Sequence, residues 1–260
     1  MIPYFTWQTI AFGPITLYVW GMFVALGFLT GAFAAAQYAK SRGDDPKIIY
    51  DLAVWMAVAG MIGGRLGHVL FYEFPFYAAH PLEIFAIWHG GMSMFGGLIA
   101  CGIVGIWFLR HRNVDVWRYV DTAAFGLPFG IAIGRIGCFL IHDHPGTATD
   151  FILGVQYPDG VVRHDLGLYE ALNGLAMAVA FLLFLRYAKS PHSSLLATHY
   201  SLLFAIWYGT FRFVMDAYRI VDTRYFGVTP GQYFGLLLAI FGIIGLVWIN
   251  RRQKAREVLE

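Results

Sequence analysis

Charge is what this sequence has least of. Lys, Arg, Asp and Glu together make up 13% of its 260 residues, where soluble domains carry about 25%. Hydrophobic residues make up 58% and the mean hydropathy is +0.61. A chain of this length cannot hide so much apolar surface in its own interior, so the solvent for its exterior is lipid. The formal net charge of +2 excludes the electrostatic footprint of a nucleic-acid binder. Cysteine is nearly absent: Cys101 and Cys138 both lie in apolar runs and read as packing residues, not a disulfide. No Lys or Arg precedes Lys40, so the first apolar run lacks the basic start of a cleaved signal peptide and reads as a retained span. There is no linker, low-complexity tract or internal repeat, and residues 1–260 read as a single transmembrane domain.

What the chain does have is long apolar runs, with aromatic residues at 18% to supply interfacial belts. About seven runs suffice to cross a ~30 Å hydrocarbon core. They lie near 14–37, 48–72, 92–109, 119–141, 168–187, 199–217 and 231–249. The expected fold is therefore an all-α bundle of about seven transmembrane helices. Cations alternate between the connecting segments. Lys40, Arg42, Lys47, Arg110, Arg112, Arg118, Arg186, Lys189, Arg251, Arg252, Lys254 and Arg256 fall on one side, and only Arg163, Arg219 and Arg224 on the other. This bias places the N-terminus outside and the C-terminus in the cytoplasm. The segment about 142–167 is polar and rich in turn signals such as Pro145-Gly146 and Pro158-Asp159-Gly160, and reads as a small external cap. Gly126, Gly130 and Gly134 recur every four residues, a spacing that lets another helix approach. Pro128 in the same span is a potential kink.

Three arginines lie inside the spans: Arg65, Arg135 and Arg212. Intramembrane arginines face a cavity or a partner. Each sits five to seven residues from the outer end of its span, so at 1.5 Å per residue all three lie ~7–11 Å below the external interface. Three guanidiniums at one depth suggest an anion site, to which their planar forks are suited. The plain alternative is separate snorkelling or salt-bridged arginines, and Asp216, four residues after Arg212, could simply pair with it. Arg65 and Arg135 show no counter-ion at their depth, which favours a ligand anion. His68, His80, His89, His142, His144 and His164 gather on the same side as candidate bases. A metal held by the run His142-Asp143-His144 is disfavoured, because adjacent positions rarely turn both imidazoles to one ion. The run "HGGMSMFGGL" offers Gly90, Gly91, Gly96 and Gly97, whose amides could cradle an anion or whose small size could serve helix packing.

Several strings together resemble the prolipoprotein diacylglyceryl transferase family: "GGRLGHVLFYEFP" (63–75), "HPLEIFAIWHGGMSMFGGLIA" (80–100), "GRIGCF" (134–139), "RHDLGLYEALNG" (163–174), "FRFVMDAYR" (211–219) and "TPGQ" (229–232). The resemblance implies a bacterial inner-membrane enzyme that moves the diacylglyceryl group of phosphatidylglycerol to the lipobox cysteine of prolipoprotein signal peptides at the extracytoplasmic face, without a metal or organic cofactor. It implies that Arg135 and Arg212 are the essential arginines, with Arg65 near the lipid. Asp143, Gly146, Arg163, His164, Tyr169, Glu170, Asp216, Arg219 and Gln232 fall in matching motifs as supporting residues.

The departures from the family pattern are specific. Phe95 stands where the family has His, Cys138 and Ile141 where its signature has Asn, and Trp20 where its first helix has Tyr. His142, His144 or His89 could supply the missing base. The alternatives are a paralogous transferase with another acceptor, a non-catalytic lipid-binding protein and a transporter.

Overall fold

The computed structural model describes residues 1–188 and 199–257; Lys189, counted above among the cytoplasmic cations, lies outside them. Among the described residues seven helices have 18 residues or more: α1 (Val19–Ser41), α2 (Pro46–Phe71), α4 (Met94–His111), α5 (Val116–Ile141), α6 (Leu166–Ala188), α7 (Tyr200–Ala217) and α8 (Pro230–Glu257). A short helix, α3 (Phe74–Ala79), and two 3-10 turns follow α2. Six of the long helices are apolar enough to cross a membrane, all except α7. That helix carries Arg212 and Asp216. Helix α5 continues through Pro128 without a break.

The first span begins later than expected. Thr9–Phe12 (β2) and Ile15–Tyr18 (β3) pair as an antiparallel hairpin. Gly13, at φ +59°, takes the left-handed turn, a conformation open to glycine at no steric cost. An apolar run does not by itself distinguish strand from helix, and the Gly13-Pro14 pair was the signal for a break. The cap is a four-stranded sheet. Its order is β1 (Ile2–Pro3), β5 (Val155–Gln156), β6 (Val162–Asp165) and β4 (Pro145–Ala148), with only β1 and β5 parallel.

The chain divides into two compact units, Met1–Tyr38 with Asp121–Glu260, and Ala39–Val120. In the first, α1 and α5 meet backbone to backbone. A Cβ on Gly27 would lie 2.6 Å from the Gly130 carbonyl oxygen, and Gly126 stands against Gly31. This is the close approach that the four-residue glycine repeat allows. Tyr38, Phe125, Met177, Phe181 and Tyr200 form a buried cluster. In the second unit α2 and α4 pack through Gly63, Gly67 and Gly96. At the polar ends of its helices Arg118 pairs with Asp44 at 2.8 Å and Arg112 with Asp51 at 2.5 Å.

Candidate functional site

Three carboxylates in the first unit organise its arginines. Glu170 lies in the second turn of α6 and is 1% exposed. Its Oε2 is 2.6 Å from Arg135 Nε on α5, and its Oε1 accepts a hydrogen bond from Arg212 Nη1 at 2.7 Å. Arg212 Nη2 is 3.0 Å from Asp216 Oδ1, and Arg219 Nε is 3.3 Å from the same oxygen. Arg219 Nη1 donates to Asp222 at 3.0 Å. The result is an alternating row: Arg135, Glu170, Arg212, Asp216, Arg219, Asp222. The reading that Arg135 lacks a counter-ion is thereby corrected. Its partner comes from a different helix 35 positions along the chain, a pairing that local spacing does not reveal.

Asp216, within the row, is held by the sequence Thr229-Pro-Gly-Gln232. Thr229 Oγ1 donates to Asp216 Oδ2 at 2.9 Å, and Gln232 N–H and Thr229 N–H bond the partner side chain at 3.1 and 3.0 Å. Gly231 has no side chain because Asp216 occupies the space of its Cβ. Asp216 is fully buried. Buried charges are tolerated when paired and hydrogen-bonded: Asp216 Oδ2 is hydrogen-bonded by Thr229, and Oδ1 is balanced by ion pairs with Arg212 and Arg219.

The arginines differ in what they have left to offer. Arg212 is 8% exposed at its side chain and spends both terminal nitrogens on carboxylates. Arg135 is 24% exposed at its side chain. Its Nη1 reaches Cys138 Sγ at 3.7 Å, and its Nη2 has no partner among the described residues. The Arg135 Nε–H does not point along the line to Glu170, so that contact is an ion pair by distance and Oε2 keeps acceptor capacity.

Arg65, in the second unit, is 4% exposed and directs all its nitrogens at backbone carbonyls. Nε bonds Ile84 O at 3.0 Å, Nη2 bonds Glu83 O and Ala86 O, and Nη1 bonds Gly90 O and Gly91 O. The Tyr77 ring lies 5.0 Å from its guanidinium carbon. Gly90 and Gly91, both with positive φ, therefore serve as carbonyl acceptors for Arg65. The Gly90 N–H is spent on Ile87 O, and the Gly96 and Gly97 N–H groups on Ser93 at the start of α4.

The histidines also separate. The His142 side chain is fully enclosed, with Nδ1 2.6 Å from Asp165 Oδ2 and the rings of Tyr4, Phe5, Phe139 and Tyr157 around it. Its imidazole is closed off from the surface. Burial and Asp165 push the Tyr157 hydroxyl well above the ordinary tyrosine range, so it remains a donor to Asp165 at 3.1 Å. His144 Nδ1 is 3.1 Å from Asp143 Oδ1. Both line a small open cleft with Pro145, Arg219, Val221 and Asp222. His164 Nδ1 is hydrogen-bonded with the Tyr169 hydroxyl at 2.9 Å, and burial lowers its pKa. Gly146 bridges to Arg219 and leaves room for His164. His89 pairs with Glu83 at 2.8 Å. Phe95 stands in the first turn of α4.

Cys138, Asp143 and His144 bring one ligand-type atom each within 4.8 Å. Arg135 donates to the thiol and Arg219 shares the cleft with Asp143 and His144, so two fixed cations oppose a metal ion there.

A model of the prolipoprotein diacylglyceryl transferase family matches residues 8–248. The chain is 35% identical over 263 residues to the phosphatidylglycerol--prolipoprotein diacylglyceryl transferase of Solidesulfovibrio magneticus, covering 96% of each. It is 34% identical to the protein of that name from Pseudomonas fluorescens, covering 95% of each. It is 33% identical to the one from Pseudomonas aeruginosa, covering 95% of this chain and 94% of that one.

Proposed function

The chain belongs to the prolipoprotein diacylglyceryl transferase family, and on that premise we propose that Arg135 receives the phosphate of phosphatidylglycerol while Glu170 and Arg212 hold it in place. The family assignment makes the chain a transferase of the first step of lipoprotein maturation. The observation that carries the residue assignment is the inequality within the arginine row. Of the two arginines that Glu170 braces, Arg135 is the more exposed and spends only Nη1 on a hydrogen bond, to Cys138, while Arg212 is clamped between two carboxylates.

The acceptor is the lipobox cysteine thiol of a prolipoprotein. A thiolate is the nucleophile, so the thiol must lose its proton. His144 is the base in this reading: Asp143 engages Nδ1 and leaves Nε2 for the cleft, the division of labour of an oriented imidazole. The sulfur lone pair forms the bond to the glycerol carbon that bears the phosphate ester. The C–O bond breaks, and its electron pair leaves on the phosphate oxygen as glycerol phosphate. Arg135 N–H groups aimed at that oxygen stabilise the charge as it develops. Arg65 supports the enzyme by holding the 83–91 backbone, not by binding lipid.

The charge bias of the connecting segments supports an N-out, C-in topology in the bacterial inner membrane, with the residue 142–167 cap and its cleft on the extracytoplasmic side. The test is transfer from labelled phosphatidylglycerol to a lipobox peptide in vesicles. Arg135→Gln is expected to abolish transfer, and His144→Gln to slow it by ~10²–10⁴-fold. Full activity in Arg135→Gln would overturn the assignment.

A further inference from the structure

His142 lies at the junction of α5 and α6 with its imidazole closed off from the surface, yet the fold accepts two unfavourable features to keep it there. Its backbone is left-handed, at φ +51°, which disfavours a non-glycine residue. Its Nε2 is buried against aromatic rings with no hydrogen-bond partner among the described residues. What the fold obtains is the contact with Asp165, which is itself 0% exposed. With its proton on Nδ1, His142 donates to Asp165 Oδ2 at 2.6 Å, the Tyr157 hydroxyl donates to the same oxygen at 3.1 Å, and Leu168 N–H donates to Oδ1 at 3.0 Å. No Lys or Arg pairs with Asp165 among the described residues. The carboxylate thus caps the first turn of α6 and ties it to the residue that follows α5.

We propose that His142 and Asp165 are positioning residues that fix α6 against α5 and so set where the Arg135 guanidinium points. Arg135 lies seven residues before His142, about two turns of α5, and Glu170 lies five residues after Asp165. The 2.6 Å contact between Arg135 and Glu170 therefore closes a short loop of structure whose other closure is the His142–Asp165 pair. Gly167 reinforces it, since a Cβ there would lie 2.8 Å from Phe139 N. The inference rests on Arg135 as the phosphate ligand. A misplacement of about 1 Å at such a group costs roughly 10²-fold in rate.

The test compares His142→Gly, which relaxes the backbone but removes the imidazole, with His142→Asn, which tolerates the left-handed conformation and keeps an N–H donor for Asp165. For each variant kcat, KM for short-chain phosphatidylglycerol, KM for lipobox peptide and the thermal midpoint are measured. His142→Gly is expected to lower kcat/KM for the lipid by about tenfold or more, with the peptide KM within about twofold and His142→Asn largely restored. In an Arg135→Lys background the His142→Gly effect should shrink, because the two act as one unit. Unchanged lipid kinetics in His142→Gly, or an undiminished effect beside Arg135→Lys, overturns the proposal. If His142→Gly does not fold, Tyr157→Phe removes one donor from Asp165: a smaller shift in the same lipid parameter supports the proposal, and none overturns it. Retained transfer in Arg135→Gln would instead strike the underlying reading.

Discussion

Glu170 is the residue on which the site's electrostatics turn, because it alone touches both Arg135 and Arg212. Glu170→Gln would leave two guanidiniums facing each other in a buried place. Breaking a buried pair in this way costs ~3–5 kcal/mol, so the thermal midpoint in detergent should fall sharply along with activity. Arg135→Lys should keep a reduced, measurable activity with little loss of midpoint, since that side chain is partly exposed; Arg212→Lys should lower both. A pH effect belongs to His164, whose pKa burial holds below the ordinary 6.5. The unfolded chain takes up a proton below about pH 6.5 and the folded one resists, so stability falls as pH drops through that window. Thermal midpoints at pH 7.5 and 5.5 should differ less in His164→Gln than in the parent; an equal difference would remove His164 from the account. At this scale the sequence showed the intramembrane arginines by their cost in lipid. It showed Asp216 as a partner for Arg212 through their four-residue spacing, but not Glu170, because Glu170 and Arg135 meet only through the packing of α5 and α6.

Elements were legible where periodicity and length agree, and obscure where the backbone does the bonding. All seven expected spans overlap the observed long helices. The first starts later than expected because the largely apolar stretch Thr9–Tyr18 turns at Gly13 into a hairpin. The role of Arg65 was hidden for another reason. Its partners are carbonyls of residues 83–91, and a carbonyl carries no sequence signature. Its planar fork matches several acceptors at once, which a lysine ammonium cannot reproduce. Arg65→Lys should therefore loosen the 83–91 segment and speed its cleavage in limited proteolysis. Unchanged cleavage would mean that the segment is held by its own packing.

The whole molecule turns apolar side chains outward. Leu29 on α1 is 65% exposed, and Leu237 and Ile244 on α8 are 66% and 63% exposed, surfaces that only lipid covers without cost. Which end faces out follows from charge and not from the fold. With native cysteines replaced, Asp159→Cys in the cap should react with a membrane-impermeant maleimide in intact spheroplasts, and Arg252→Cys only after permeabilisation. The reverse pattern would invert the proposed topology.

The Arg135 guanidinium, braced by Glu170, is proposed as the group that makes diacylglyceryl transfer possible. The most direct measurement is the mass of a lipoprotein's N-terminal cysteine in cells that depend on this chain for lipidation. A diacylglyceryl adduct is expected with the parent chain and an unmodified prolipoprotein with Arg135→Gln at equal expression. A full adduct with Arg135→Gln would contradict that role.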